Sequence, residues 1–278
     1  MGNNIPIYIV DAFTNEKFKG NPAAVCLLQN RQDDSILQKI AAEMNLSETA
    51  FLVPLKEGGF KESKDYSLRW FTPKVEVSLC GHATLATAKV LFDDGGIPSK
   101  EVFFETMSGR LTARKKKEGI LLDFPSNEPE PIDPPKELLE AMGIIKIENV
   151  AFARKSQKLL VELENEESVK NLKPDFEKMM QVSTKEDIIG VIITSKGTFP
   201  YDFISRFFAP WVGINEDPVT GAAHTVLIPY WAKILGKKEM LAYQASERGG
   251  ELVVQLDSEG RVNLIGHAVI VLKGELYL

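Results

Sequence analysis

Cysteine and histidine are scarce in this chain, with Cys26, Cys80, His82, His224 and His267 the only representatives among 278 residues. Two thiols cannot build a disulfide framework and fit a reducing compartment. No second histidine or cysteine stands at ligand spacing from any histidine, so no metal is expected. Also missing is an apolar run approaching the ~20 residues that span a bilayer. The N-terminus has no basic segment followed by an apolar stretch and cleavage site, so no secretory leader is expected and the cytoplasm is the expected compartment. Gly2 is suitably placed for myristoylation, but Pro6 stands where that motif wants a hydroxyl residue. Glycine-rich phosphate fingerprints and a Gly-x-Ser-x-Gly nucleophile elbow are lacking too. Positive charge is not in excess: the formal net charge is -6 and the pI near 5.3. The one basic run, Arg114-Lys115-Lys116-Lys117, leads into Glu118-Gly119 and reads as a solvated hairpin. No nucleic-acid partner is expected.

What is present points to a soluble globular protein, 44% hydrophobic and 26% charged, long enough for two domains. The chain repeats itself. Arg69-Trp70-Phe71-Thr72-Pro73 precedes Cys80-Gly81-His82-Ala83-Thr84, and Arg206-Phe207-Phe208-Ala209-Pro210 precedes Asp217-Pro218-Val219-Thr220-Gly221. Each copy runs from an aromatic strand through a Gly-containing loop into a helix. A repeat of about half the chain length predicts two related lobes, and its paired polar loops predict one site between them. The proline-rich stretch from Pro125 to Pro135 is a stiff, extended connector. It divides an N-terminal lobe, residues 1–124, from a C-terminal lobe, residues 125–278, with the last strand free to pack on the first lobe.

Strands are expected at Ile5–Val10, Ala23–Leu28, Thr49–Val53, Tyr66–Phe71, Val102–Glu105 and Ile120–Phe124, and again in the second half, which ends on four short strands. Asp33-Asp34-Ser35 offers an N-cap for a helix ending near Asn45. Ala83–Phe92 and Ala222–Leu235 are apolar on most faces, as a helix wrapped by a curved sheet would be. Strand and helix do not alternate regularly enough for a doubly wound sheet. The expected fold is therefore α+β: two pseudo-symmetric lobes, each a curved sheet or barrel around a central helix.

Both central helices begin at a loop where unsatisfied N–H groups and the helix dipole favour a carboxylate or phosphate. Gly81 and Gly221 permit close backbone approach there, or simply let the chain turn. His82, in the first helical turn, is kept neutral by the dipole, in a structural or a hydrogen-bonding role. Asp217 can cap backbone N–H groups or orient a ligand. Glu48 leads into an apolar strand, where its charged form is disfavoured and its pKa rises toward that of a useful acid or base. Spacing alone equally makes Glu48 a surface residue or a helix-end cap. His267 is isolated.

These blocks, with Val10-Asp11-Ala12-Phe13, Gly20-Asn21-Pro22-Ala23-Ala24-Val25 and Asn45-Leu46-Ser47-Glu48-Thr49-Ala50-Phe51, resemble the PhzF-like phenazine-biosynthesis family in order and across nearly the whole chain. The resemblance implies the diaminopimelate-epimerase fold and isomerisation of a small carboxylated substrate without metal or organic cofactor. It implies that Glu48 removes and returns the proton, that His82 and Asp217 orient polar groups, and that the Gly81 and Gly221 loops hold the carboxylate. It implies a homodimer, as base rates do. The related epimerases place one cysteine in each repeated loop. Here Cys80 has no counterpart, which leaves it as a small packing residue. Many family members have serine after the second glycine, where this chain has Ala222, so a different physiological substrate is expected. Two alternatives stay open: an epimerase or racemase of an amino-acid-like substrate, and a small-molecule binding protein without turnover.

Overall fold

The computed structural model describes residues 4–56 and 58–278; Gly2 lies outside them. The chain forms two compact units, one built from the residues up to Phe124 together with Asn263–Leu278, the other from Pro125–Val262. No described helix is long and apolar enough to cross a membrane.

The first unit contains β1 (Ile5–Ala12), β2 (Asn21–Leu27), α1 (Asp34–Met44), β3 (Glu48–Pro54), β4 (Asp65–Phe71), β5 (Glu76–Val77), α2 (Gly81–Asp93), β6 (Glu101–Thr106), β7 (Gly109–Lys116) and β8 (Gly119–Pro125). The β1–β2 pair is antiparallel, β2–β3 parallel, β3–β4 antiparallel and β4–β6 parallel. The basic run forms the end of β7 and enters the turn of the antiparallel β7–β8 hairpin. Helix α2 packs on β1, β2, β3 and β7 at once, so the sheet curves around it. Ten of its residues, from Gly81 to Leu91, are buried.

Alternation along β3 sends Phe51 into the cluster under α1, with Leu37 and Ile40, and sends Glu48, Ala50 and Leu52 to the opposite face, toward α2. Helix α1 ends at Asn45, whose left-handed backbone (φ 49°) turns the chain toward β3. Asp33 occupies the N-cap position of α1, but its side chain makes no cap hydrogen bond. The carboxylate of Asp34 instead binds Arg69.

The second unit contains β9 (Glu130–Pro131), α3 (Lys136–Ala141), β10 (Asn149–Ala153), β11 (Lys158–Glu162), α4 (Glu166–Lys170), α5 (Phe176–Gln181), β12 (Gly190–Lys196), β13 (Phe203–Phe208), α6 (Gly221–Leu235), β14 (Glu239–Gln244) and β15 (Gly250–Leu256). The proline-rich connector is not wholly unpaired, because β9 pairs with β10. The order of pairing repeats that of the first unit: β10–β11 antiparallel, β11–β12 parallel, β12–β13 antiparallel and β13–β14 parallel. Helix α6 is the counterpart of α2. Its Trp231 stacks on Phe203 at 5.8 Å and donates its indole N–H to Thr194 at 3.0 Å.

The last strands are β16 (Arg261–Gly266) and β17 (Ala268–Leu276). β17 pairs antiparallel with β1 along its whole length, which ties the C-terminal segment to the first unit. His267 is exposed; its carbonyl accepts from the backbone N–H groups of Phe13 and Thr14.

The repeat extends to side chains. Arg69 forks onto Glu76 at 2.7 Å and lies 5.0 Å from the centre of the Phe71 ring. Arg206 forks onto Glu216 at 2.7 and 2.9 Å and lies 4.8 Å from Phe208. Planar guanidinium groups favour such two-pronged, ring-stacked geometry.

Candidate active site

In the first unit Glu48 comes together with Cys80 and His82, which lie far along the chain from it. Glu48 is the first residue of β3, directly opposite Ala23 of β2. Cys80 is the N-cap of α2 and Gly81 its first residue. The Glu48 Oε2 atom lies 3.2 Å from Nε2 of His82, with the two side chains 13% and 6% exposed. On the other side of the imidazole, Nδ1 lies 3.5 Å from Sγ of Cys80. Burial pushes His82 down to about 3, so the ring is neutral near pH 7. A neutral ring has one N–H: with Glu48 as a carboxylate the proton belongs on Nε2, facing it, although the pair falls short of hydrogen-bond geometry, and Nδ1 is left to accept from the thiol. Thiol, imidazole and carboxylate form a chain along which a proton can be held or passed.

The donor atoms of these three residues lie within 4.8 Å of one another and are of types that zinc accepts. The contacts of the imidazole use its opposite nitrogens, Nε2 toward the carboxylate and Nδ1 toward the thiol, as in a relay. The apolar-floored cavity of 410 Å³ in this unit, lined by Leu28, Phe51, Arg69, Glu76 and Met107 among others, includes none of the three and opens on the α1 side of the sheet.

In the second unit Thr220 is the N-cap of α6 and Gly221 its first residue. Counted from the helix start, Thr220 takes the place of Cys80, and Ala222 that of His82. The backbone N–H of Asp217 binds the carbonyl of Phe207 at 3.0 Å. Its carboxylate accepts a hydrogen bond from the Thr220 hydroxyl. Gln244, fully buried at the end of β14, holds this loop. Its Nε2 donates to the carbonyl of Asp217 at 2.8 Å and to Oγ1 of Thr220 at 3.1 Å, and its Oε1 accepts from the Thr220 N–H at 2.9 Å. Because Thr220 Oγ1 accepts from Gln244, its own proton is free for Asp217, and the dipoles align in one direction. His224, one turn into α6, lies 2.8 Å from the carbonyl of Thr220 through Nδ1. Burial pushes it down to about 4.

The structure thus brings Glu48 to His82 and adds Cys80 behind it; it sets Asp217 beside Gly221 through Thr220. Thr220, Gln244 and His224 are the members that sequence reasoning did not assign. The signal for Thr220 was available, since it precedes the second glycine as Cys80 precedes the first. Nothing in the sequence singles out Gln244, which sits 24 residues beyond Thr220 on another element.

Comparison with known proteins identifies the family and the fold. The family model for phenazine biosynthesis-like proteins, PhzC-PhzF, matches residues 10–274. A protein of Halalkalibacterium halodurans named an uncharacterized isomerase is 51% identical, over 98% of both chains. Among solved structures, a phenazine biosynthesis protein of the PhzF family from Enterococcus faecalis matches with a TM-score of 0.90 and 45% identity, over 99% of this chain and 100% of that one. A hydroxyproline epimerase from Agrobacterium vitis matches with a TM-score of 0.58 at 12% identity, covering 99% of this chain and 91% of that one. That similarity is one of fold. The α+β, epimerase-type architecture expected from the sequence is the one found.

Proposed function

Because the chain belongs to the phenazine biosynthesis-like PhzC-PhzF family, in which isomerases are named, we propose that it is a cofactor-independent isomerase. It acts on a small carboxylated substrate and moves one proton within it. The observation that carries this reading is the 3.2 Å contact between Glu48 and His82. A carboxylate at the mouth of an apolar strand can take a proton from carbon and return it elsewhere, serving as base and then acid. His82, neutral and hydrogen-bonded, steadies the carboxylate while it is charged and orients a polar group of the substrate. In this reading Asp217 binds a second polar group, and the Gly81 and Gly221 helix starts offer backbone N–H groups to the substrate carboxylate.

Two-thiol epimerisation has little support. Thr220 stands where a second thiol belongs, and its hydroxyl is committed to Asp217. We further place the enzyme in the cytoplasm, as a homodimer. Native mass spectrometry of the purified protein, followed by incubation of any co-purifying carboxylic acid with enzyme in D2O, tests the activity. The expected result is an isomer of unchanged formula carrying one solvent deuteron. A bound metabolite returned unlabelled and unaltered would favour a binding protein instead.

A further inference from the structure

Lys158 opens β11 with only 8% of its surface exposed. Its ammonium donates to the carbonyl of Ser156 at 3.1 Å, and among the described residues it makes no ion pair. A buried ammonium without a counter-ion is strongly disfavoured, and burial lowers this one to about 8. The internal repeat explains its position. In the first unit Ala23 lies opposite Glu48 and Thr49 opposite Phe71. In the second, Lys158 lies opposite Gly190 and Val191 opposite Phe208. With Phe71 matched to Phe208, Gly190 takes the place of Glu48 and Lys158 that of Ala23. The space of a side chain at 190 is filled by the Phe207 ring, 2.4 Å from where a Cβ would stand. The second unit therefore has an amine one strand away from the position where the first has its acid.

The amine is also on the face that matters. Leu159 and Val161 point into the cluster with Leu138 and Met179 of α3 and α5. Glu162, on the opposite face with Lys158, accepts from the hydroxyl of Tyr230 of α6 at 2.6 Å. Lys158 lies four strand residues from Glu162, roughly 13 Å. Gly221 lies nine helical residues from Tyr230, again roughly 13 Å. Because β11 runs parallel to β12 and α6 begins beyond the end of β13 that pairs with the start of β12, Lys158 and the Thr220–Gly221 helix start lie at the same end of the second unit.

We propose that Lys158 is a ligand for the anionic group of the substrate, a carboxylate, in the second unit. This assignment rests on the carboxylated-substrate reading above, and it supplies the counter-ion that the buried amine lacks. It adds a positive charge to the backbone N–H groups of the Gly221 helix start, where Ala222 offers no side-chain donor. Calorimetric titration with benzoate, and with benzamide as its neutral counterpart, tests the proposal on wild type, Lys158→Met and Lys158→Arg. Wild type should prefer benzoate at least tenfold, Lys158→Met should lose that preference and Lys158→Arg should keep most of it. Acetylation of Lys158 by acetic anhydride, read by mass spectrometry, requires no variant and should slow at least fivefold in saturating benzoate. Equal affinity of wild type for the two probes, retention of the preference in Lys158→Met, or unprotected acetylation would overturn the proposal. The outcome is separable from that of the proton shuttle, because Glu48→Gln should bind benzoate as wild type does, whatever its effect on exchange.

Discussion

Lowering the pH from 7 to 5 should destabilise the second unit through His224 alone. The residue is fully buried, lies beside the Phe203 ring at 6.1 Å and directs Nδ1 to the carbonyl of Thr220. No charged partner among the described residues compensates an imidazolium there, and the N-terminal turn of α6 opposes one. Its folded-state value of about 4 lies below the unfolded value of about 6.5. Above pH 6.5 neither state binds the proton and the shift costs nothing. As pH falls through 6.5 the unfolded chain takes up the proton first, so stability drops until the folded value is reached. The slope is about 1.4 kcal/mol per pH unit, and 1.5 units separate 6.5 from 5, so the loss is about 2 kcal/mol. Urea titrations at pH 7 and pH 5, followed by tryptophan fluorescence and circular dichroism, measure it. His224→Gln removes the titration while keeping a polar side chain. Carboxylates common to both proteins cancel in the comparison, so the variant should lose about 2 kcal/mol less than wild type between the two pH values. Losses equal within about 0.5 kcal/mol would refute the account of His224 as a buried neutral base.

Three further outcomes are expected. Gln244→Leu leaves the Asp217 carbonyl and the Thr220 N–H without their partner; it should cost about 3 kcal/mol in urea unfolding and raise KM more than it lowers kcat, whereas an unchanged KM would separate Gln244 from the site. Arg206→Met should destabilise by about 3 kcal/mol and Arg69→Met by about 1 kcal/mol, because Arg206 also donates to the carbonyls of Val169, Lys170 and Leu172 while Arg69 reaches the exposed Asp34. Cys80→Ser should keep exchange activity within about threefold, since a hydroxyl can still donate to Nδ1 of His82; a loss of a hundredfold or more would give the thiol a chemical role.

The sequence carried the fold where the pattern was periodic and long. The two apolar helices, the strands beginning near Tyr66 and Val102 and the basic hairpin all lie where alternation and turn residues put them. Helices α3, α4 and α5 did not register, because runs of five or six residues are too short to show a helical period. Their stability comes from packing, Leu138, Val169 and Met179 being buried in one cluster. β9 was hidden by its proline, which is tolerated in a two-residue edge pairing. In the site, the two glycines were visible because they repeat, and His82 and Asp217 because they stand in the repeated loops. The pairing of Glu48 with His82, and of Gln244 with Asp217, depends on which strand neighbours which helix start, and that is a property of tertiary topology.

The central claim is that Glu48 carries the proton, and deuterium exchange between substrate and solvent tests it most directly. Wild type and Glu48→Gln are incubated in D2O with the co-purifying carboxylic acid, and label is followed by mass spectrometry. The amide keeps the shape of the carboxylate but cannot accept a proton from carbon, so the account predicts that exchange falls at least a thousandfold while melting temperature and substrate binding stay close to wild type. Exchange undiminished in a folded, substrate-binding Glu48→Gln protein would contradict it.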